Sequence, residues 1–417
     1  METALNSFLA AAIGLVFFFG IFSKVMKKII PPMFLALILG IILSPQVLNL
    51  IPGLEKLPRE TIFEQGSRLT LAVGLLATAM RLTPHRIKTY WKSGLALTIT
   101  AMFGMWLTSS IIAHFVLSLD WIYSLLLGGI ITPTDPVLAS SIVTGSFARK
   151  NIEERIRVLL SIESGANDGL AYVFVFVPLI FIKYANLSAF FEEWFFKILL
   201  GQVLGGLILG IAAGILAGKL FRFARDRKMD EEGGLLIYSI AFSLVMLGAA
   251  KLLGTDEIWV VFIAGIAFNF FVNEEERFEE EEIQDASNLL FTISLFFILG
   301  FMLPWKEWEQ NFDFELVVFA IAILVLRRIP VLLAMYKHIG KVNLYGILFM
   351  GWFGPIGVSG LFYAALVLRM TGLHKIYLAA IFIISASTVV HGLTAAPFTK
   401  IYGSAVKKVQ AGKKEQL

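Results

Sequence analysis

The chain has 417 residues, of which 58% are hydrophobic and only 16% charged, and its net charge is +4. A soluble protein of this length is closer to half apolar and a quarter charged, so the composition favours a membrane protein. The low net charge gives no reason to expect a nucleic-acid partner, and the absence of cysteine excludes disulfides, thiolate catalysis and cysteine-ligated metals.

The apolar residues occur in long runs of about 20, the length that an α-helix needs to cross a bilayer. The first run, Leu5 to Ser23, is too long for a signal peptide and lacks a basic start, so we predict a retained helix. We predict one all-α membrane domain over residues 1–417. Its thirteen spans lie near 5–23, 29–50, 66–82, 94–117, 121–145, 156–182, 197–220, 234–252, 257–273, 287–303, 315–336, 345–368 and 376–399.

The lysines and arginines give the orientation of these spans. Of the 35, 24 fall on one side, nine on the other and two inside a span. Because the basic side faces the cytoplasm, we expect a cytoplasmic C-terminus and an external N-terminus in the plasma (inner) membrane. The basic tail 400–417 is expected near anionic lipid. We interpret the acidic run 274–282 as a solvated turn, with cation attraction or pH sensing as the alternative.

The fifth span contains an aspartate between two prolines. Pro133 and Pro136 lack an amide donor, so the helix is expected to break around Asp135 and to free carbonyl oxygens. Breaks at membrane depth survive where they line a site or cavity. A simple proline kink is the alternative, but it leaves the adjacent aspartate and the neighbouring Thr134 unexplained.

The sixth span carries two carboxylates and an amide. Ser164 and Asp168 are four residues apart and share a helix face, whereas Glu163 and Asn167 share the neighbouring stripe. These oxygen donors suit a hard cation such as Na⁺ better than a transition metal. A purely structural polar cluster is the alternative. His391 also falls in a span, and we interpret it as a packed, neutral histidine.

A second break is predicted at Gly354 and Pro355 in the twelfth span. Two broken helices in one chain indicate inverted repeats with a site between them, although the sequence leaves the repeat boundary open. In the eleventh span, Arg327 and Arg328 are too costly to leave unpaired in lipid. We expect one of them to pair with Glu163; the alternative is that both extend to the cytoplasmic surface.

Thr-Pro-Thr-Asp-Pro at 132–136, followed by Glu-Ser-Gly-Ala-Asn-Asp-Gly at 163–169, resembles the monovalent cation/proton antiporter superfamily. The branch is that of the sodium/proton antiporters and exchangers. The spacing of the motifs, the arginine in the eleventh span and the glycine-rich twelfth span also match, and the resemblance covers essentially the whole chain. The third span has no carboxylate, unlike that of some bacterial relatives, which leaves the ion preference open.

The resemblance implies an inverted-repeat antiporter fold of thirteen helices, in which the broken helices five and twelve cross, and it implies a homodimer. It assigns the alternating binding of cation and proton to Asp168. Three further residues match positions that line or ligate the Na⁺ ion: Asp135, Thr134 and Ser164. Three match positions that hold the site together: Glu163, Asn167 and either Arg327 or Arg328, with the alignment slightly favouring Arg327.

We therefore expect an electroneutral sodium (or lithium)/proton antiporter working by alternating access, because Asn167 adds no second charge to Asp168. Potassium/proton exchange on the same fold is the main alternative. An ion channel or sensor is a further alternative, and an intramembrane protease is disfavoured because no Gly-x-Gly-Asp pattern occurs. We expect a transporter and not an enzyme, with no cofactor and no small organic substrate.

Overall fold

The computed structural model describes residues 31–50, 58–136, 138–184, 186–229, 234–337, 339–340 and 342–414, together with Gly14 and Phe17. The predicted first span, 5–23, therefore lies outside the described residues except at those two positions. Within the described ranges, every regular element is a helix. The helices are α1 (Pro32–Leu43), α2 (Arg59–Arg81), α3 (Pro84–Leu117), α4 (Trp121–Ile130), α5 (Ser140–Val143), α6 (Gly145–Asn151), α7 (Glu154–Tyr184), α8 (Leu187–Asp226), α9 (Gly234–Leu252), α10 (Glu257–Asn269), α11 (Glu274–Phe301), α12 (Trp305–Asn311), α13 (Glu315–Leu326), α14 (Ile329–Ala334), α15 (Leu344–Trp352), α16 (Val358–Thr371) and α17 (His374–Lys414).

Several of these helices match the dimensions of a bilayer. Six of the described helices are long and apolar enough to cross a membrane, and the bent pair Ser287–Phe301 and Trp305–Asn311 makes a seventh if counted as one span. Every predicted span from 29–50 onward coincides with a helix or with consecutive helices. The all-helical membrane fold is confirmed, whereas the number thirteen stays a prediction.

The acidic run 274–282 is helical, so its prediction as a turn was wrong. It forms the first turns of α11, where Asn273 and Glu276 make a capping box. The basic end of α8 adds a hydrogen bond and an ion pair: Arg222 donates to the Asn273 side chain, and Arg225 Nε donates to Glu276 Oε1 at 3.1 Å. Glutamate is a good helix former and is stabilised near a helix N-terminus, which explains why this acidic run continues a helix.

Helix α7 lies close to α10, and two glycines permit the contact. A Cβ atom at Gly165 would overlap the Phe262 ring, and one at Gly169 would lie 2.7 Å from the Trp259 Cα. At the other end of the chain, α17 continues through the predicted tail to Lys414, and Tyr402 is buried. The result is a helical bundle in which α7 passes beside the two interrupted helices.

Candidate functional site

Two helices are interrupted, and their interruptions touch. Helix α4 ends at Ile130, because the segment that follows contains Pro133. Helix α15 ends at Trp352, three residues before Pro355. The Asp135 amide donates to the Pro355 carbonyl at 2.8 Å. Proline breaks both helices because it lacks an amide donor and clashes with the preceding turn. The hydrogen bond between Asp135 and Pro355 then joins two chain segments 220 residues apart through their backbones.

Glycine allows the two segments to approach this closely. A Cβ atom at Gly357 would overlap the Asp135 carboxylate, and one at Gly354 would overlap the side chain of Arg328. Gly354 would also bring a Cβ atom within 3.1 Å of the Thr134 methyl group. The glycine-rich pattern of the second break therefore reflects contact with the first.

The Asp135 carboxylate binds backbone amides on both sides of the crossing. Its Oδ1 accepts from the Leu138 amide at 3.1 Å, and its Oδ2 accepts from the Val358 amide at 2.6 Å. Val358 is the first residue of α16, so a negative charge lies at that helix N-terminus, where the helix dipole favours it. Asp135 thus shapes the crossing as well as adding charge to it.

Thr134 and Asn167 tie the first break to α7. The Asn167 amide donates to the Thr134 hydroxyl at 2.8 Å, and the Thr134 backbone amide donates to the Asn167 side-chain oxygen at 3.1 Å. Both residues are buried. This reciprocal pair fixes the position of the break relative to the helix that carries Asp168.

Arg328 is the partner of Glu163, a choice between Arg327 and Arg328 that the sequence left open. Arg328 Nη2 donates to Glu163 Oε2 at 2.6 Å, Nη1 donates to Oε1, and both side chains are almost completely buried. Arg328 Nε also donates to the Met350 carbonyl at 2.8 Å. The planar guanidinium matches a carboxylate bidentately, and this pair joins α7 to the second interrupted helix.

Arg327 bonds carbonyl oxygens from both breaks. Its guanidinium donates to the Ile131 and Thr132 carbonyls of the first break and to the Gly354 carbonyl of the second. The proline arguments predicted freed carbonyls, and the carbonyl of Thr132 is among these acceptors. The donor to these carbonyls could not be assigned from the sequence, because Arg327 and Arg328 are adjacent and lie in the same apolar run.

Two side chains of α17 stabilise the second break. The Ile356 amide donates to the Ser387 hydroxyl at 2.8 Å, and Ser387 and His391 Nδ1 are 3.0 Å apart. His391 Nε2 lies 3.0 Å from the Trp352 carbonyl, and His391 Nδ1 also lies 3.0 Å from the Ser387 carbonyl. Ser387 was missed at the sequence level, where the signal was a polar pair at i, i+4 within an apolar span.

Asp168 has no partner in this network. It is 0% exposed, and both carboxylate oxygens lack a hydrogen bond among the described residues. Ser164, one turn earlier on α7, is also buried. The Ser359 hydroxyl interacts with the Asp168 carboxylate, but no hydrogen bond of standard geometry reaches this hydroxyl within the same described ranges. Ser359 was missed at the sequence level because it sits in a glycine-rich segment that contains no charge.

A family model for transmembrane sodium/hydrogen exchangers matches residues 12–401. The chain belongs to the sodium/hydrogen exchanger family. It is 32% identical over 336 residues, 79% of its length, to a Na⁺/H⁺ antiporter of Zygosaccharomyces rouxii, of which it covers 42%. It is 30% identical over 243 residues, 57% of its length, to a K⁺/H⁺ antiporter of a Shewanella species, of which it covers 40%.

The fold of this exchanger-family chain also matches a solved structure. It resembles the sodium proton antiporter MjNhaP1 of Methanocaldococcus jannaschii with a TM-score of 0.74 and 21% identity, covering 96% of this chain and 98% of that one. This match confirms the predicted antiporter fold with broken helices. The chain spans less than half of the length of the first two curated relatives that it matches.

The exchanger-family site is one positive charge short. Three buried carboxyl groups, those of Asp135, Glu163 and Asp168, surround the crossing, against the two buried guanidinium groups of Arg327 and Arg328. An ionised carboxylate that is buried without a partner costs several kcal/mol. Of the three, only Asp168 has both carboxylate oxygens without a hydrogen bond among the described residues.

Proposed function

We propose that the protein is a sodium (or lithium)/proton antiporter in which cation and proton compete for Asp168. The observation that carries the proposal is the buried, unpartnered Asp168 carboxylate beside two crossed helix breaks. A carboxylate cannot hold both substrates, because protonation removes the charge that binds the cation. Exchange follows if the site moves between the two membrane faces only when it is neutralised.

Oxygen atoms around Asp168 support cation binding. Ser164 lies one helical turn away, and the Ser359 hydroxyl faces the carboxylate. Thr134 and Asp135 belong to the adjacent break and supply a further hydroxyl and a second negative charge. We propose that these residues ligate or attract Na⁺, since hard cations prefer oxygen ligands of this kind.

The remaining residues hold the site together. Glu163 and Arg328 neutralise each other, Asn167 positions Thr134, and Arg327 binds the carbonyls of both breaks. Because these charges are paired or offset, one cation or one proton completes the charge balance. We therefore propose a stoichiometry of one to one, with no net charge moved.

Potassium/proton exchange is the second candidate. It is favoured by the likeness to K⁺/H⁺ antiporters of Shewanella, and the chemistry proposed for Asp168 serves K⁺ equally well. Two antiporter relatives at 32% identity are named for Na⁺, and for this reason sodium comes first.

We propose the plasma (inner) membrane as the location, with the C-terminal end of α17 in the cytoplasm and the chain acting as a homodimer. The distribution of lysine and arginine supports the orientation, and family resemblance supports the dimer. Accessibility of a C-terminal tag in sealed cells tests the orientation, and the mass of the detergent-purified protein tests the dimer.

The function is tested in proteoliposomes that hold a pH gradient, by the recovery of the fluorescence of a pH-sensitive dye when Na⁺, Li⁺ or K⁺ is added separately. We expect responses to Na⁺ and Li⁺ from the wild-type protein. Asp168→Asn should abolish them while leaving the unfolding temperature equal or higher, because a buried charge is removed. A response to K⁺ alone would refute the sodium assignment, and ion flux that persists in Asp168→Asn would indicate a channel.

A further inference from the structure

Tyr363 is a completely buried tyrosine of α16. Its hydroxyl donates to the main-chain carbonyl of Asp168 at 2.7 Å, the usual length for an O–H···O bond, and it lies 3.3 Å from the carbonyl of Gly169. The stronger acceptor thus belongs to the residue whose carboxylate has no hydrogen bond among the described residues. A buried side chain of α16 therefore holds the backbone that carries the Asp168 carboxylate.

The helix that carries Asp168 does not need this bond. Asp168 lies well inside α7, where a carbonyl ordinarily accepts from the amide four residues later, so helix geometry already supplies this oxygen with a donor. The phenol is a second donor to the same oxygen. Its neighbours along α16, such as Phe362 and Ala364, are apolar, and a phenylalanine would fill the space without bringing a polar atom into the interior. The hydroxyl is thus an addition directed at one point of α7.

Helix α16 contacts Asp168 at a second point, one turn before Tyr363. The Ser359 hydroxyl interacts with the Asp168 carboxylate, and residues four apart lie on the same face of a helix. One face of α16 thus contacts the side chain of Asp168 through Ser359 and its main chain through Tyr363. Because an aspartate side chain has few rotamers, the position of its backbone largely decides where the carboxylate lies relative to the hydroxyl.

The contact of Tyr363 has a counterpart at the first break. Asn167, the residue before Asp168 on α7, donates to the Thr134 hydroxyl at 2.8 Å. Helix α16 begins directly after the second break, at Val358. Neighbouring positions of α7 are therefore bound to the two interrupted helices, Asn167 to the first and Asp168 to the second. The distances from the Asp168 carboxylate to the oxygen atoms of the crossing depend on both contacts.

We propose that Tyr363 is a positioning residue for exchange: its hydroxyl holds the Asp168 backbone at the distance from α16 at which the carboxylate and the Ser359 hydroxyl contact one cation. The proposal rests on the exchange function proposed above. A set of ligands must be held to within about 0.5 Å of its productive geometry, whereas a proton needs a single oxygen. Loss of the bond should therefore weaken cation binding more than protonation.

Tyr363→Phe removes the hydroxyl and keeps the ring. In proteoliposomes that hold a pH gradient, we expect the KM for Na⁺ (or for K⁺, if the wild-type protein responds to K⁺ alone) to rise by about three- to tenfold, the effect of one lost intramolecular hydrogen bond. The maximal rate should change little, because a saturating cation concentration fills the site again. A variant with 4-aminophenylalanine in place of Tyr363 regains a donor and should restore the KM.

Tyr402→Phe is the matched control. Tyr402 is also buried, on α17, but its hydroxyl has no hydrogen-bond partner in the part of the chain that the structure describes, so the same substitution removes no bond. It should leave both the KM and the maximal rate unchanged. Thermal unfolding in detergent, measured for both variants, shows that the fold is kept.

An unchanged KM in Tyr363→Phe, or a maximal rate that falls at constant KM, would overturn the positioning role. A raised KM that 4-aminophenylalanine does not lower would do the same. Absence of exchange by the wild-type protein with Na⁺, Li⁺ and K⁺ would instead overturn the exchange function and the role of Tyr363 together, so the wild-type response separates the two failures.

Discussion

Replacing Arg328 by methionine tests the buried ion pair of the site. The change leaves the Glu163 carboxylate buried without a counter-charge, which typically costs about 3–5 kcal/mol. It also leaves the Met350 carbonyl, which Arg328 Nε binds at 2.8 Å, without its donor, and this adds roughly 1 kcal/mol. The sum, about 4–6 kcal/mol, is a large part of the stability of a typical domain.

The double variant Glu163→Leu/Arg328→Met removes both charges at once. Because replacing both members of a buried pair by apolar groups is often neutral or stabilising, we expect it to be more stable than either single variant. Unfolding in mixed detergent micelles, followed by tryptophan fluorescence, gives the free energies for the cycle. All three variants should also lose exchange activity, because the pair joins α7 to the second break.

Arg86→Met provides the control. Arg86 Nε donates to Glu154 Oε1 at 2.8 Å, a similar contact, but the two side chains are 33% and 50% exposed. Solvent weakens such pairs, so the loss should stay under about 1 kcal/mol. Additive losses in the double variant, or a loss for Arg328→Met as small as that of the control, would refute the reasoning.

The other contacts of the site give three shorter predictions. Gly357→Ala should abolish exchange, because its Cβ atom overlaps the carboxylate that caps α16, whereas Gly248→Ala, with nothing within 4 Å, should exchange at the wild-type rate in proteoliposomes. Ser387→Ala leaves the Ile356 amide without its acceptor and should lower the free energy of unfolding by about 1–3 kcal/mol. An unchanged unfolding curve would contradict this hydrogen bond. Ser359→Ala should raise the KM for Na⁺ several-fold with little change in maximal rate, and an unchanged KM would remove Ser359 from the ligands.

The positions of the breaks could be predicted from the sequence because proline acts locally. Pro133 and Pro355 lack the amide that the helix needs, whatever surrounds them. The face shared by Ser164 and Asp168 was equally predictable, since helical periodicity alone determines it.

The partners of the charged groups could not be predicted in the same way. Arg327 and Arg328 are neighbours in sequence, and a single helix irregularity between α13 and α14 decides which of them points to Glu163. The helical state of 274–282 was missed because its support comes from Arg222 and Arg225, about 50 residues earlier. Uncharged side chains such as Ser359 carry no signal in a glycine-rich segment until the fold brings them beside Asp168.

The hydrogen bonds of Arg327 have a consequence for how the protein moves. One guanidinium holds carbonyls of both breaks, at Thr132 and at Gly354, so neither segment can shift without breaking charge-assisted bonds in a dry interior. The crossing should therefore travel as one stiff piece. For the exchange mechanism proposed above, we expect the ion to be exposed to alternate sides by movement at the contact between α7 and α10, where Gly165 and Gly169 permit close packing, and not by remodelling of the pocket.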